Sequence, residues 1–299
     1  MTNEQTYKSF FQPTGFDVSV VGIGDEGRKA VFDPQLLHNV RMKNSLIDNL
    51  FLFDDSDFQE TLKRNFDKSG YIIKELQASD MMFSLGNMSD DTNVEIACTI
   101  AEQFDSEKSD RKHSVCVYYG EINQVTVFKL NKHYDTVIRI EDEKLLSSPF
   151  FFLCVTMLQV GFVGIDYVYT LFALRKMTVG YFDDFLIDTD NKQNAINALS
   201  TRIKAKGLTD ETELVADVWL TVSENIYLAI IDDTTKMLSN LIQKDLTWSA
   251  SFEPNFEEDI IQITIVYGVD NGVKDWIKSD GWYYDENGEI HFNRTQKHR

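Results

Sequence analysis

Cysteine is scarce in this chain. Three occur in 299 residues, Cys98, Cys116 and Cys154, far apart and each within an apolar run. That pattern excludes a disulfide framework and a zinc site, and it suits buried, reduced thiols in a cytoplasmic protein. Proline is scarcer still for the length, with four residues, and no stretch is rich in Pro, Gly or Ser, so long disordered linkers are not expected. Basic residues are few: 29 Lys and Arg stand against 48 Asp and Glu, a net charge of −19. A chain so acidic lacks the basic face that displaces counterions from phosphates, which excludes a general nucleic-acid binder. The same balance argues against an anionic membrane surface. Residues 1–8 are polar without an apolar core, so no secretory signal is expected.

Several chemical signatures are also missing. The five histidines, His38, His113, His133, His291 and His298, show no metal-ligand spacing. There is no G-x-S-x-G elbow, no H-E-x-x-H and no P-loop lysine. Asp188-Thr189-Asp190 begins like a calcium loop, but Lys192 and Leu199 fall at ligand positions, so a solvated helix start is expected.

What is present is an ordinary globular composition, 43% hydrophobic and 26% charged, with enough chain for one large domain or two packed ones. One apolar run, Phe150 to Leu174, is long enough to cross a membrane. Gln159 and Asp166 would then lie near the bilayer centre, where polar groups are costly, so a helix buried in a soluble core is expected. Before it, strand-like segments (17–22, 49–53, 81–85, 114–119, 135–140) alternate with helix-like ones (27–38, 92–104), the rhythm of a mainly parallel α/β sheet. After it come helices over 191–206 and 233–243, a strand over 213–222, and strands over 246–252 and 260–267 joined antiparallel through Pro254. Trp282-Tyr283-Tyr284 and Ile290-His291-Phe292 flank Asn287-Gly288, a hairpin signature that either covers a sheet edge or offers a docking surface.

The sharpest local motif is Gly22-Ile23-Gly24-Asp25-Glu26-Gly27, a G-x-G-x-x-G pattern between a strand and a helix. Such a turn either brings backbone against a phosphate or simply turns the chain. In a dinucleotide-binding reading, Asp54 or Asp55 would hold the ribose, but nothing downstream supplies a hydride-transfer site.

The order of these pieces resembles the FtsZ/tubulin family over about residues 17 to 268. Gly22-Ile23-Gly24, ending in Ala30-Val31, is similar to the family's first nucleotide loop. Asp80 to Met88, then Ser89-Asp90-Asp91-Thr92-Asn93-Val94-Glu95, then Ile100-Ala101-Glu102 resemble the strand, signature loop and helix. Tyr134 to Ile140 with Lys144-Leu145-Leu146 resembles the strand before the central helix. Phe182-Asp183-Asp184-Phe185 resembles the loop that reaches a neighbouring subunit's nucleotide, and Leu246 to Tyr267 the last strands of the activation domain. The resemblance implies an α/β, FtsZ/tubulin-like fold: a Rossmann-type N-terminal domain (1–148), a long central helix (149–178), an α+β activation-like domain (179–268) and a hairpin extension (269–299). It also implies head-to-tail assembly with itself or with an FtsZ/tubulin-type relative.

The departures bear on chemistry. Of the signature G-G-G-T-G-T-G only Thr92 remains, with Ser89, Asp90, Asp91, Asn93, Val94 and Glu95 in the other places. Asp25 and Glu26 occupy the tip of the first loop, and carboxylates there repel a triphosphate. The stretch between Phe53 and Asp80 is short for the family. The two acids that orient the attacking water align with Tyr181 and Asp184, and tyrosine cannot serve as that base at neutral pH. The base-recognition position aligns with Gln159. A cytoplasmic pseudo-GTPase is therefore expected. Its nucleotide loops (Gly22, Gly24, Gly27, Asp25, Glu26, Ser89, Asp90, Asp91, Thr92, with Gln159) are vestigial, no catalytic residue remains beyond a vestigial Asp184, and no metal and no cofactor are held, GTP and GDP being disfavoured. The alternatives are acids that point outward or hold Mg²⁺, a divergent active GTPase of a segregation-type filament, and a Rossmann oxidoreductase built on Gly22, Gly24 and Gly27.

Overall fold

The computed structural model describes residues 16–33, 47–63, 70–105, 112–156, 167–208, 212–253, 256–270, 282–284 and 290–292. β1 (Phe16–Ile23), β3 (Met81–Asn87) and β4 (His113–Tyr119) are interior strands paired in parallel. Both of their faces are buried, which is why their sequences read as apolar runs without alternation. With β2 (Ile47–Asp54), β5 (Thr136–Arg139), β6 (Met177–Asp188), β7 (Leu214–Val222), β8 (Gln243–Phe252) and β9 (Ile260–Asp270) they form one nine-stranded sheet, ordered β2-β1-β3-β4-β5-β6-β9-β7-β8. Only β9 runs against its neighbours. The two halves meet where β5 pairs with β6 through Ile138–Gly180 and Arg139–Tyr181.

Alternate residues of the N-terminal strands feed two cores. Val21, Ile23, Met82, Cys116, Tyr118 and Val137 pack with α2 (Asp55–Lys63), α3 (Tyr71–Ala78), α4 (Asp91–Phe104) and α5 (Gln124–His133). Val18, Val20, Phe83, Leu85, Val115 and Val117 face the other way, toward α1 (Gly24–Val31), α6 (Ser148–Phe151), the π-helical turn Phe152–Thr156 and α7 (Tyr167–Lys176). This second core continues under the C-terminal half through Phe182, Val215, Trp219 and Val266. A third core lies beneath α8 (Lys192–Ala205) and α9 (Leu228–Ile242). Cys98, Cys116 and Cys154 are free and buried, and burial pushes the Cys98 thiol up to about 11.

Polar groups fix α7 at its end. Arg175 Nε donates to His113 Nδ1 at 3.1 Å, so Nε2 carries the imidazole proton and faces Thr136 Oγ1 at 3.0 Å. Among the described residues no helix is long and apolar enough to cross a membrane.

Several sequence expectations change here. The segment Phe182–Phe185 is not a loop: it lies inside the twelve-residue strand β6, paired throughout with β9. Asp183 hid that strand by placing an acid among inward-facing residues. It is buried because Arg202 Nη1 donates to it at 2.8 Å, Tyr267 Oη at 2.8 Å and Lys206 Nζ at 3.3 Å. The Lys206 side chain, only 7% exposed, also lies over the rings of Tyr181 and Tyr267. The strands 246–252 and 260–267 form no hairpin, because β7 sits between them, parallel to β8 and antiparallel to β9. The central helix stops at Lys176, where β6 begins, and its middle, 157–166 with Gln159 and Asp166, lies outside the described residues. The first helix starts at Gly24 and not at Gly27, and α2, α3 and α5 were not foreseen. The hairpin pairs as expected, Trp282 with Phe292 and Tyr284 with Ile290.

Gly27 fixes how α1 sits on the sheet, since a Cβ there would stand 2.1 Å from the Leu85 carbonyl oxygen. Helix propensity alone favours alanine by about 1 kcal/mol, whereas overpacking against a backbone atom costs about 3 kcal/mol. Gly27→Ala is expected to lower the unfolding free energy by about 2 kcal/mol in urea titration.

Candidate functional site

The chain leaves β1 for β2 on one side and returns to β3 on the other, so the ends of β1 and β3 form the switch point where open α/β sheets place ligands. Gly24 turns the chain there with φ +71°, a left-handed value that suits glycine, and its absent Cβ would approach Asn93 Nδ2 at 3.1 Å. The β1–α1 turn thus touches the start of α4. The Asn93 side chain donates to the Asn87 carbonyl at 2.7 Å, and Asn87 Oδ1 accepts from the Ser89 amide at 3.0 Å. Met88 N–H donates to the Tyr119 carbonyl, tying the same loop to the end of β4.

The N-terminus of α4 is capped by its own chain. Asp90 is the N-cap, and its Oδ1 accepts the Thr92 amide at 2.8 Å. A helix start is a place for anions because its first amides lack partners. Here a carboxylate already takes one of those donors, with exposed Asp91 and Thr92 following in the first turn. Asp25 and Glu26 stand in the first turn of α1.

Two nearby cations have partners as well. Arg28 Nε lies 3.1 Å from Asp54 and its Nη2 3.8 Å from Asp55. Burial opposes ionisation of Asp54, but hydrogen bonds from Ser56 and Asp57 and the charge of Arg28 outweigh it and hold the carboxyl below its usual range. Asp54 also caps α2, accepting the Ser56 and Asp57 amides at 2.8 and 3.0 Å. It is therefore committed to structure at the place where a ribose would be sought. Lys129, on α5, pairs with Glu95 of α4. Among the described residues no cluster of His, Cys, Asp and Glu is arranged to hold a metal ion.

The sequence-derived loop residues Gly22, Gly24, Gly27, Asp25, Glu26, Ser89, Asp90, Asp91 and Thr92 thus gather at one end of two adjacent strands. Tyr181 and Asp184 do not join them. They lie on β6, four strands from β1, roughly 19 Å across the sheet at ordinary strand spacing. Burial pushes the Tyr181 phenol up, with Arg139 opposing, so it is a neutral phenol stacked near Tyr267. Asp184 accepts Gln262 Nε2 at 3.0 and 3.1 Å and Thr264 Oγ1 at 3.2 Å, on the strand next door. Asn93, read from the sequence only as a replacement in the signature loop, is the contact between the two loops; the signal for that role was an amide side chain three residues after an Asp N-cap.

No protein-family model and no curated protein matches the chain. Solved structures do. A CetZ from Methanosaeta thermophila superposes with TM-score 0.62 at 10% identity, covering 88% of this chain and 89% of that one. An FtsZ from M. jannaschii gives 0.59 at 14% identity over 94% and 96%. A CetZ from Haloferax volcanii, a GDP-bound monomer, gives 0.57 at 11% identity over 85% and 94%. The fold is that of FtsZ and CetZ, the tubulin/FtsZ fold, spanning nearly the whole chain.

Asp90→Ala removes the α4 cap and is expected to cost about 1 kcal/mol of stability in urea titration. Asp90→Ser keeps an acceptor and should recover most of that loss.

Proposed function

We propose that this tubulin/FtsZ-fold chain acts as a non-catalytic assembly, scaffold or filament-modulating protein, a pseudo-GTPase that associates with itself or with a relative of the same fold. The observation that carries the proposal is the self-capped, acidic β3–α4 loop, in which the Asp90 carboxylate accepts the Thr92 amide at the helix start. A triphosphate brought there would meet Asp90, Asp91, Asp25 and Glu26, and Arg28 of α1 is already paired with Asp54. On this reading the present residues do not fit the nucleotide. Against hydrolysis stand also the tyrosine at one of the two expected acid positions, Tyr181, and the place of both Tyr181 and Asp184 within a paired strand instead of a loop.

Assembly draws support from the neighbours. One FtsZ from M. jannaschii was captured as an empty dimer, and a CetZ from Haloferax volcanii as a GTPγS-bound protofilament. Head-to-tail contacts between identical copies leave open ends and so build filaments. The nucleotide-bound neighbours also favour a second reading, a divergent GTPase whose loops rearrange around GTP.

Sedimentation and negative-stain microscopy of the purified chain without nucleotide are expected to show assemblies, alone or with an added FtsZ. Monomers at high concentration in both settings would defeat the assembly role. Phosphate release from GTP at the buffer background is expected, and steady turnover would establish the second reading instead.

A further inference from the structure

The C-terminal half holds a buried acid that the proposed function does not use. Asp217 sits in the middle of β7, 2% exposed, on the face that α7 covers. Across the sheet it lies in one row with Phe182 of β6, Val266 of β9 and Thr247 of β8. Val215 and Trp219 flank it on β7 as parts of the apolar core shared with α7. Thr170 of α7 and the backbone N–H of Val218 hydrogen-bond the carboxyl, while its Oδ1 is buried without a hydrogen-bond partner among the described residues.

No described charge answers this acid. On α7 the described cations, Arg175 and Lys176, lie five and six residues beyond Thr170, more than one helical turn away, and Arg175 is engaged with His113. On β6 and β9, Asp183 and Tyr267 point to the opposite face, into the cluster with Arg202 and Lys206. An ionised carboxylate without a counterion is costly in such a place, whereas the neutral acid is tolerated.

We infer that Asp217 is a proton-linked latch for α7: seated on β7 the carboxyl keeps its proton, and lifting the helix releases it. The inference rests on the buried, unanswered carboxyl beneath α7 and stands or falls apart from the proposed loss of hydrolysis.

Burial pushes Asp217 up to about 8, with the hydrogen bonds from Thr170 and Val218 opposing. Its pKa in the seated state therefore exceeds the ordinary carboxylate value, near 3.9, of the lifted or unfolded state. The seated state then binds one proton more, so its advantage is full below about pH 4, declines about tenfold per pH unit up to about pH 8, and levels off above.

Amide hydrogen exchange on the full chain, corrected for the intrinsic rate, tests this. Between about pH 5.5 and 7.5 the protection of the 171–176 amides is expected to fall by up to about a hundredfold. In Asp217→Asn, which carries no titrating proton, that fall should vanish. Equal pH dependence in the two proteins, or none in the native chain, overturns the latch. Should the variant fail to fold, the carboxyl ¹³C resonance of Asp217 in the native chain decides: a midpoint about 8 supports the latch, and one near 4 overturns it.

Discussion

The structure depends on one apolar core that both halves of the chain share. Phe150, Phe152, Leu153 and Cys154, then Leu171, Ala173 and Leu174, press on Val18, Phe83 and Val117 of the N-terminal strands and on Val215, Trp219 and Val266 of the C-terminal ones. The direct ladder between the halves, β5 to β6, consists of two residue pairs, so side-chain packing carries more of the union than the sheet does. Polar contacts then set register: Arg175 on His113 at the end of α7, and Lys206 with Asp183 and Tyr267 beneath α8.

That core holds β1 and β3 side by side, and their loops inherit the position. Gly27 permits α1 to approach the Leu85 carbonyl, and Gly24 lets the turn meet Asn93. A site of this geometry can present helix amides to an anion. What decides its chemistry is the choice of side chains on it, because Asp90 satisfies an amide internally and Arg28 is drawn away to Asp54. The frame, which can present helix amides to an anion, and the charge of its loops thus point in different directions. Fold alone does not carry function.

How much of this could be read from the sequence varied with the physics of each segment. The interior parallel strands were plain because burial on both faces forces apolar runs, as in residues 81–85 and 114–119. The glycine turn was plain because close approach and a positive φ leave little choice of residue. Strand β6 was hidden by Asp183, whose burial depends on Arg202, Lys206 and Tyr267, partners 19 to 84 positions away. Helix α5 gave no periodic signal, since Leu130 is its buried residue while Val125 and Phe128 face outward. The pairing of β8 and β9 with β7 is set by where β7 inserts, which neither strand's own residues record. Tyr181 and Asp184, expected in a loop, lie on the same hidden strand.

The central claim is that the acidic, self-capped loops do not retain a guanine nucleotide. Denaturing freshly purified protein and resolving the released small molecules by anion-exchange chromatography measures this directly. The account predicts no guanine nucleotide at a meaningful fraction of the protein concentration. GTP or GDP at near one per chain would contradict it.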